Sequence, residues 1–205
     1  MDNQYIVVEG SDFAGKSELI AKLKEHYESR GRKVTVVREP GGDPIAEELR
    51  QILKYTKHQL CTEAERFLFQ AARAQVLEHV VRPALERGDL VISDRAYYTT
   101  VCYQLGEFTS SVADQVCEQT YNALGIAPIN LILNIDYDTL VARRNHRGEE
   151  VGERIEARGE AYFRKVIQLY HDISQIFPDA HSIDATGSRE STLDQCVTLL
   201  DAIGV

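Results

Sequence analysis

The segment VVEGSDFAGKS, residues 7–17, leads from an apolar run into a helical pattern with the spacing G-x-x-x-x-G-K-S. Glycines at this spacing let backbone N–H groups turn onto phosphate oxygens, and the start of the helix adds about half a positive charge. Lys16 would reach the outer phosphates of a nucleotide, and the Ser17 hydroxyl would bind Mg²⁺. The pattern predicts a loop that binds a nucleoside triphosphate through Gly10, Ser11, Asp12, Phe13, Ala14, Gly15, Lys16 and Ser17.

Five apolar runs rich in β-branched residues predict strands, at residues 5–9, 34–37, 90–94, 131–136 and 181–184. They are almost continuously apolar, which is typical of parallel strands covered on both faces. Helical patterns lie between them, and Pro83 should kink the long third one. The alternation predicts a three-layer α/β/α fold of the P-loop type, in which helices flank a five-stranded parallel sheet. The helical patterns lie near residues 19–27, 45–53, 67–85, 112–124, 139–145, 162–177 and 192–203.

Length and charge limit the class of protein. A chain of 205 residues without a linker or internal repeat suits a single domain, residues 1–205. The formal charge of −9 argues against a nucleic-acid partner. The sequence has no apolar run long enough to span a membrane and no basic leader, and its four cysteines are scattered. We therefore expect a cytoplasmic protein with reduced thiols and no membrane partner.

The phosphate loop by itself does not identify the reaction. A guanine-selecting N-K-x-D motif requires an Asn-Lys pair, and the sequence contains none. A small α/β chain with several arginines near the predicted sheet edge instead favours a kinase that acts on a small phosphorylated acceptor.

Five further segments resemble those of thymidylate kinases, in the same order along nearly the whole chain. The resemblance implies an enzyme that transfers the γ-phosphate of ATP to dTMP with Mg²⁺ as cofactor. It also implies a homodimer. The segments are VREPGGDPIAEELRQIL (37–53), FLFQAARAQ (67–75), ISDRAYYTTVCYQ (92–104), RGEEVGERIE (147–156) and SIDATGS (182–188).

An arginine follows the predicted strand that ends in Asp94, so Arg95 should project from the carboxyl edge of the sheet, where ligands bind in open α/β folds. A guanidinium can grip a phosphate there through two hydrogen bonds. The resemblance implies that Arg95 holds the acceptor phosphate, and that Asp94 joins Ser17 in binding Mg²⁺. It places Arg38, Glu39 and Arg50 near the same phosphate.

Phe69 and Arg73 are four residues apart and should share one face of a helix. This spacing lets a ring stack on a base while the guanidinium donates to a base carbonyl such as O4 of thymine. The matching residues do this in thymidylate kinases. The resemblance adds further contacts to the base or sugar of dTMP: Asp12 on the 3′-hydroxyl, with Thr100, Tyr103 and Gln104.

The resemblance also predicts a mobile lid, at about residues 143–158. Because catalysis of phosphoryl transfer is mostly positioning and cationic stabilisation, lid arginines would act on the transferring group. Some thymidylate kinases carry a catalytic arginine in the phosphate loop, where this sequence has Phe13. We therefore expect Arg147 and Arg154 in the lid to supply that charge, with Arg143 near ATP. The expected catalytic residues are Asp12, Lys16, Arg95, Arg147 and Arg154.

Four features depart from the family pattern. Glu18 stands where a hydroxyl residue is common, Ala96 replaces an aromatic residue or histidine, the stretch after Gln104 lacks the common Gly/Arg-rich pattern, and the lid is about two residues longer. One alternative is a deoxynucleoside kinase or another nucleotide kinase. A deoxynucleoside kinase needs a general base, whereas a phosphate acceptor is already anionic. A second alternative is a non-catalytic nucleotide-binding protein of the same fold. The extra arginines of the REPGG region favour the phosphate acceptor.

Overall fold

The computed structural model describes residues 4–106, 115, 122, 124–125, 127–148, 155 and 158–205, without the side chain of Arg147. Most of the helix predicted over residues 112–124 and the central part of the predicted lid lie outside these residues.

Five parallel strands form one sheet in the order β2-β3-β1-β4-β5. Central β1 is buried along its whole length, which accounts for its continuous apolar pattern. The predicted P-loop architecture, a five-stranded parallel sheet flanked by helices, is confirmed. The strands are β1 (Tyr5–Gly10), β2 (Val34–Arg38), β3 (Leu90–Asp94), β4 (Ile129–Asn134) and β5 (Ala180–Asp184).

The fourth strand ends two residues before the predicted limit. Asp136 was expected to be the last strand residue, but its carboxylate accepts a hydrogen bond of 2.7 Å from the backbone N–H of Thr139. It therefore caps the following helix instead of continuing β4. An acidic residue after an apolar run fits both roles, which is why the sequence pattern did not separate them.

Helices cover both faces of the sheet. The second one, α2, starts with Pro44 and is capped by the Asp43 carboxylate. The described α-helices are α1 (Lys16–Ser29), α2 (Pro44–Tyr55), α3 (Thr62–Val76), α4 (Arg82–Glu86), α5 (Tyr97–Thr100), α6 (Tyr137–Arg147), α7 (Glu160–Ile176) and α8 (Arg189–Ala202). A π-helical turn, Val101–Leu105, follows α5.

The long helix predicted toward residue 85 is interrupted where Pro83 perturbs it. A π-helical turn, Leu77–Val81, connects α3 to α4. Proline cannot donate to the preceding turn and its ring crowds the carbonyl four residues back, so one wider turn relieves both conflicts.

The strand order brings two connections together at the carboxyl edge of the sheet. The chain leaves β1 toward β2, on one side, whereas it leaves the neighbouring β3 toward β4, on the other. Such a reversal opens a crevice in which open α/β folds bind ligands. The phosphate loop follows β1 and Arg95 follows β3, so both predicted groups lie beside this crevice.

None of the helices in the described ranges combines the length and the apolar character needed to cross a membrane.

Candidate active site

The loop between β1 and α1 has the backbone geometry of a phosphate cradle. Gly10 and Gly15 have positive φ angles of 143° and 97°, and Phe13 also lies at positive φ, 64°. A Cβ atom at Gly10 would come within 2.8 Å of the carbonyl oxygen of Leu133, so a side chain cannot be accommodated there. The loop is therefore packed against β4, and its backbone shape depends on these residues.

Lys16 is buried at the centre of this loop. Its ammonium donates to the carbonyl oxygens of Gly10 at 3.2 Å and Ser11 at 2.8 Å. Burial and the neighbouring Arg95 cation lower the pKa of Lys16 to about 8, although the carboxylates of Asp94 and Asp12 oppose them. An anionic ligand in the loop would offset both causes.

Asp12 is held on the side of the loop that faces Arg95. Its Oδ1 accepts from the guanidinium of Arg95, and its Oδ2 accepts from the Tyr103 hydroxyl at 3.0 Å. The backbone N–H of Asp12 donates back to the same hydroxyl at 3.0 Å. Burial alone would raise the pKa of Asp12, but Arg95 and Lys16 lower it below its ordinary value. Asp12 is therefore an anion, joined to residues that lie far from it in sequence.

Arg95 has an unusual backbone conformation, with φ at 75°. Its N–H donates to the carbonyl of Val8 at 3.0 Å, and its carbonyl accepts from the Ser93 hydroxyl at 2.7 Å. Its guanidinium donates to the carbonyl of Gly10 at 3.1 Å and lies 5.1 Å from the centre of the Tyr103 ring. These contacts hold both the backbone and the guanidinium of Arg95, so the guanidinium is oriented before a ligand binds.

A buried carboxylate that sequence analysis missed supports this arrangement. Glu9 ends the apolar run before the phosphate loop and is fully buried. Its oxygens accept from the backbone N–H groups of Ala96 and Thr99, and from the hydroxyls of Thr99 and Tyr170. The Thr99 hydroxyl in turn accepts from Arg95 at 3.1 Å. A charged residue within a buried strand was the signal that could have identified it.

We expect the substitution Glu9→Ala to lower the free energy of unfolding by about 3–5 kcal/mol, because each buried donor left without an acceptor costs roughly 1–3 kcal/mol. Urea denaturation measures this loss. Glu28→Ala is the control, since Glu28 is an exposed residue at the end of α1 and its loss should change stability by less than about 0.5 kcal/mol. A loss of under about 1 kcal/mol for Glu9→Ala would mean that the network does not stabilise the site.

A cavity of about 260 Å³ opens beside the loop, and we call it the acceptor cavity. Phe69 is buried except where it faces this space, as a ring that stacks on a base requires. The cavity brings together most of the predicted residues for the loop and the acceptor. Its lining includes Asp12, Phe13, Gly15, Lys16, Ser17, Arg38, Glu39, Arg50, Phe69, Asp94, Arg95, Tyr103 and Gln104.

Two predicted base contacts, Arg73 and Thr100, do not line the acceptor cavity. Arg73 lies behind Glu39 and donates to its carboxylate at 2.6 Å. Its other donations go to the side chain of Gln70, the carbonyl of Ala96 at 2.7 Å and the hydroxyl of Thr100 at 3.1 Å. Four of its five N–H groups are thus engaged within the protein. Burial raises the pKa of Glu39 although the Arg73 cation opposes it.

The two arginines of the REPGG region line the cavity from the other side. Arg38 is half exposed and pairs with Glu47 at 3.1 Å. Arg50 donates to the carbonyl of Pro40 at 2.8 Å and lies 3.7 Å from Glu47. One carboxylate therefore holds both guanidiniums near the cavity wall.

The predicted metal ligands lie at the mouth of the same cavity. Asp94 Oδ1 is buried, and it has no hydrogen-bond partner among the residues that the structure describes. Ser17 exposes its side chain nearby. Hydroxyl and carboxylate oxygens suit Mg²⁺, which usually takes one or two protein ligands and completes its shell with phosphates and water. The two residues fit a magnesium ion bound together with a nucleotide.

A second cavity, which we call the donor cavity, also borders the loop. Its lining includes Phe13, Gly15, Arg143, Ala185 and Ser188. Arg143 donates to the carbonyls of Phe13 at 3.3 Å and Ala14 at 3.1 Å, and to that of Ala185. It therefore ties the phosphate loop to the loop after β5.

Glu18, which had no functional interpretation from the sequence, is part of an ion pair. Its carboxylate lies 2.9 Å from the guanidinium of Arg189 at the start of α8. Lys22 and Glu190 pair beside it at 3.1 Å. Both pairs join α1 to α8 at the wall of the donor cavity. The charge of Glu18 is thus offset by Arg189.

The side chains of the two arginines expected to act from the lid fall outside the described part of the chain. Arg154 lies outside the described residues, as does the side chain of Arg147. Near the end of the predicted lid, Ile155 lines the acceptor cavity and Arg158 lies beside Tyr103. Arg158 was not among the predicted residues.

Comparisons with known proteins agree with one another. A family model described as thymidylate kinase matches residues 8–196 of this chain. The thymidylate kinase of Francisella tularensis subsp. holarctica (strain OSU18) is 31% identical over 205 residues, covering 98% of this chain and 97% of the relative. That of Acinetobacter baylyi (strain ATCC 33305 / BD413 / ADP1) is 32% identical over 203 residues, covering 97% of this chain and 99% of the relative. The similarity extends over nearly the full length of each pair.

Proposed function

This chain belongs to the thymidylate kinase family, and from that membership we propose how its residues transfer the γ-phosphate of ATP to dTMP, giving dTDP and ADP. The resemblance inferred from the sequence is thereby confirmed, and the chain is a phosphotransferase. The observation that carries the proposal is the acceptor cavity, in which Lys16 of the phosphate loop faces Arg95 and Phe69.

On the donor side, backbone N–H groups of the phosphate loop and the Lys16 ammonium bind the triphosphate. Lys16 is already held at the loop by two backbone carbonyls, so its charge needs little reorganisation to meet the γ-phosphate. Arg143 lines the donor cavity and braces the loop backbone beneath the phosphates. Ser17 and Asp94 hold Mg²⁺, which neutralises charge on the phosphates when it is bound.

On the acceptor side, Arg95 binds the phosphate of dTMP, and Arg38 and Arg50 add positive charge. Asp12 accepts from the 3′-hydroxyl, since each of its oxygens has a second lone pair beyond the one that Arg95 or Tyr103 uses. The loop therefore binds both substrates. Its backbone contacts ATP, and Asp12 contacts dTMP.

The base of dTMP stacks on Phe69, and polar groups at the end of the cavity read its edge. Arg73 does not line the cavity, and it supports this end of the site through Glu39, to which it donates at 2.6 Å. Gln104 lines the cavity and contacts the base. Thr100 acts indirectly by accepting from Arg73 and fixing its guanidinium.

Arg147 and Arg154, on a lid at about residues 143–158, stabilise the negative charge of the transferring phosphoryl group. An arginine brought in this way is worth roughly 10³–10⁵ in rate. Phe13 leaves the phosphate loop without an arginine of its own, which supports this assignment to the lid.

The chemistry of the cavity favours a phosphate acceptor over a nucleoside hydroxyl. Transfer to a hydroxyl requires a general base, and Asp12 is a poor one because Arg95 and Lys16 outweigh its burial and lower its pKa. The phosphate of dTMP is already an anion and needs none. The cationic lining supplied by Arg38, Arg50 and Arg95 matches that anion.

The proposal includes a homodimer in the cytoplasm. Four large apolar side chains on α2 and α3, those of Ile45, Ile52, Tyr55 and Phe67, are 45–59% exposed. Ile45 and Ile52 are seven residues apart and share one helix face, so a second copy could cover them in a two-fold interface. Cys61, Cys102 and Cys196 are free thiols, which suits a reducing compartment.

Coupled ADP release with a panel of acceptors tests the proposal. With ATP and Mg²⁺, we expect kcat/KM for dTMP to exceed that for dCMP, dGMP and AMP by at least about 10²-fold, because the base edge is read by groups that mismatched bases leave unpaired. dUMP, which lacks only a methyl group, should follow dTMP more closely. A preference for thymidine over dTMP would instead identify a deoxynucleoside kinase.

A further inference from the structure

The side-chain amide of Gln104 has a fixed orientation. Its Nε2 donates to Oε1 of Glu65 at 3.1 Å, and both side chains are buried. An ionised carboxylate can only accept, so the amide nitrogen must face Glu65 and the amide oxygen must face away from it. Oε1 of Gln104 is itself buried and has no hydrogen-bond partner in the part of the chain that the structure describes. Gln104 lines the acceptor cavity, so an acceptor without a partner among the described residues lies in the cavity wall.

Arg158 engages the other oxygen of Glu65, so both carboxylate oxygens act as acceptors. Its Nη2 donates to the second oxygen of Glu65 at 2.6 Å. Its Nη1 donates to the hydroxyl of Tyr162 at 2.9 Å and to the carbonyl of Tyr103 at 3.3 Å. The Tyr162 hydroxyl donates to the same carbonyl at 2.7 Å. We call Glu65, Arg158 and Tyr162 the Arg158 clamp.

The clamp holds more than the carboxylate of Glu65. The Arg158 guanidinium lies 4.9 Å from the centre of the Tyr162 ring, so it is held by a cation–π contact as well as by hydrogen bonds. Glu65 precedes Phe69 by one helical turn and Arg73 by two, on the same face of α3. The clamp therefore supports the end of the cavity at which the base is read.

An oxygen at this position distinguishes between pyrimidines. Thymine has an N–H at N3, which can donate to Oε1 of Gln104, whereas N3 of cytosine is a second acceptor that would face the oxygen without a proton. A buried polar pair that cannot bond costs far more than a lost contact. An amide held the other way round would reverse the preference, because Nε2 would then donate to N3 of cytosine.

Resting on the proposed function, we infer that Glu65 and Arg158 are positioning residues that hold the Gln104 amide in the orientation that selects thymine over cytosine. Neither residue needs to touch the substrate. Their effect on the reaction passes through Gln104, and it concerns the choice of acceptor base rather than phosphoryl transfer.

The substitution Glu65→Gln tests this inference directly. A glutamine at 65 can donate to Oε1 of Gln104, so the amide of Gln104 is free to turn over. We expect the ratio of kcat/KM for dTMP to that for dCMP to fall at least tenfold. The change should lie mainly in the two acceptor KM values, with the KM for ATP within twofold of wild type. Glu63→Gln makes the same change at an exposed carboxylate two residues away and should leave the ratio unaltered.

The double variant Glu65→Gln/Arg158→Met removes both charges, so neither is left buried alone. It should show the same fall in the ratio of kcat/KM for dTMP to that for dCMP. This double variant becomes the test if Glu65→Gln fails to melt cooperatively. Arg164→Met is its control, because Arg164 also pairs with a glutamate and lies over a tyrosine ring but is exposed. A ratio within twofold of wild type, or equal losses of kcat with every acceptor, overturns the inference. Wild-type protein without a dTMP preference would instead refute the proposed function.

Discussion

Replacing Lys16 by methionine is expected to lower kcat for dTMP phosphorylation by about 10³-fold or more. The ammonium is buried in the phosphate loop and held by the carbonyls of Gly10 and Ser11, so its charge is in place before the reaction begins. Single preorganised donors to developing charge are worth roughly 10²–10³ in rate, and charged groups in phosphoryl transfer are worth more. Methionine fills a similar volume without the charge. Steady-state ADP release with saturating ATP and dTMP measures the loss.

Lys24→Met is the matched control for this substitution. Lys24 is an exposed residue of the same helix that pairs with Glu28, so its replacement should leave kcat within about twofold of wild type. Both variants need cooperative melting transitions near that of the wild type. A loss smaller than tenfold for Lys16→Met would show that the ammonium does not stabilise the transferring phosphate.

Replacing Asp12 by asparagine is expected to impair the use of dTMP much more than the binding of ATP. We expect kcat/KM for dTMP to fall about 10²–10³-fold, while the affinity for ATP stays within about threefold. Asparagine removes the negative charge that holds Arg95 in a partly buried ion pair, and losing a hydrogen bond between charged groups costs about 1.5–3 kcal/mol. It also places an amide donor where a carboxylate accepted from Tyr103. Coupled ADP release gives the first quantity, and calorimetric titration with ATP and Mg²⁺ gives the second.

Asp201→Asn provides the control, since Asp201 forms an exposed pair with Arg30 at the far end of α8. It should change neither quantity by more than about twofold. Equal losses in dTMP turnover and ATP affinity for Asp12→Asn would contradict the division of the phosphate loop between a donor-facing backbone and an acceptor-facing side chain.

The fold was predictable because its signals are local. The G-x-x-x-x-G-K-S spacing, the continuous apolar strands and the helical patterns each occupy a few consecutive residues. The error in β4 arose where the local signal was ambiguous, since Asp136 fits a strand end as well as a helix cap. Pro83 was recognised as a break, but its accommodation by a π-helical turn depends on how α3 packs and not on the proline itself.

Only the site residues that lie within short sequence motifs were predicted from the sequence. The residues that line the acceptor cavity came from short segments that each resemble the family pattern. Glu9 and Glu65 were missed because their partners are distant, as with Glu65 and Arg158, which are 93 positions apart. Local spacing cannot show such pairs. A carboxylate in a buried strand, and one that shares a helix face with Phe69, were nevertheless visible as charges needing partners.

The prediction for Arg73 illustrates the same limit. Its spacing from Phe69 placed both on one helix face, and the structure has them so. The spacing did not show that Glu39 and Ala96 would take most of the guanidinium donors. Glu18 is the converse case, in which a residue without a functional interpretation has a specific partner, Arg189, at the wall of the donor cavity.

The central claim is that this chain moves the γ-phosphate of ATP onto the phosphate of dTMP. The most direct measurement is to incubate the wild-type protein with dTMP, Mg²⁺ and ATP labelled at the γ-phosphate, and to identify the labelled products. We predict that the label appears in dTDP, at its β-phosphate, with one ADP formed for each dTDP. Binding of both nucleotides by calorimetry without labelled dTDP would contradict the claim and would identify a nucleotide-binding protein that does not catalyse the transfer.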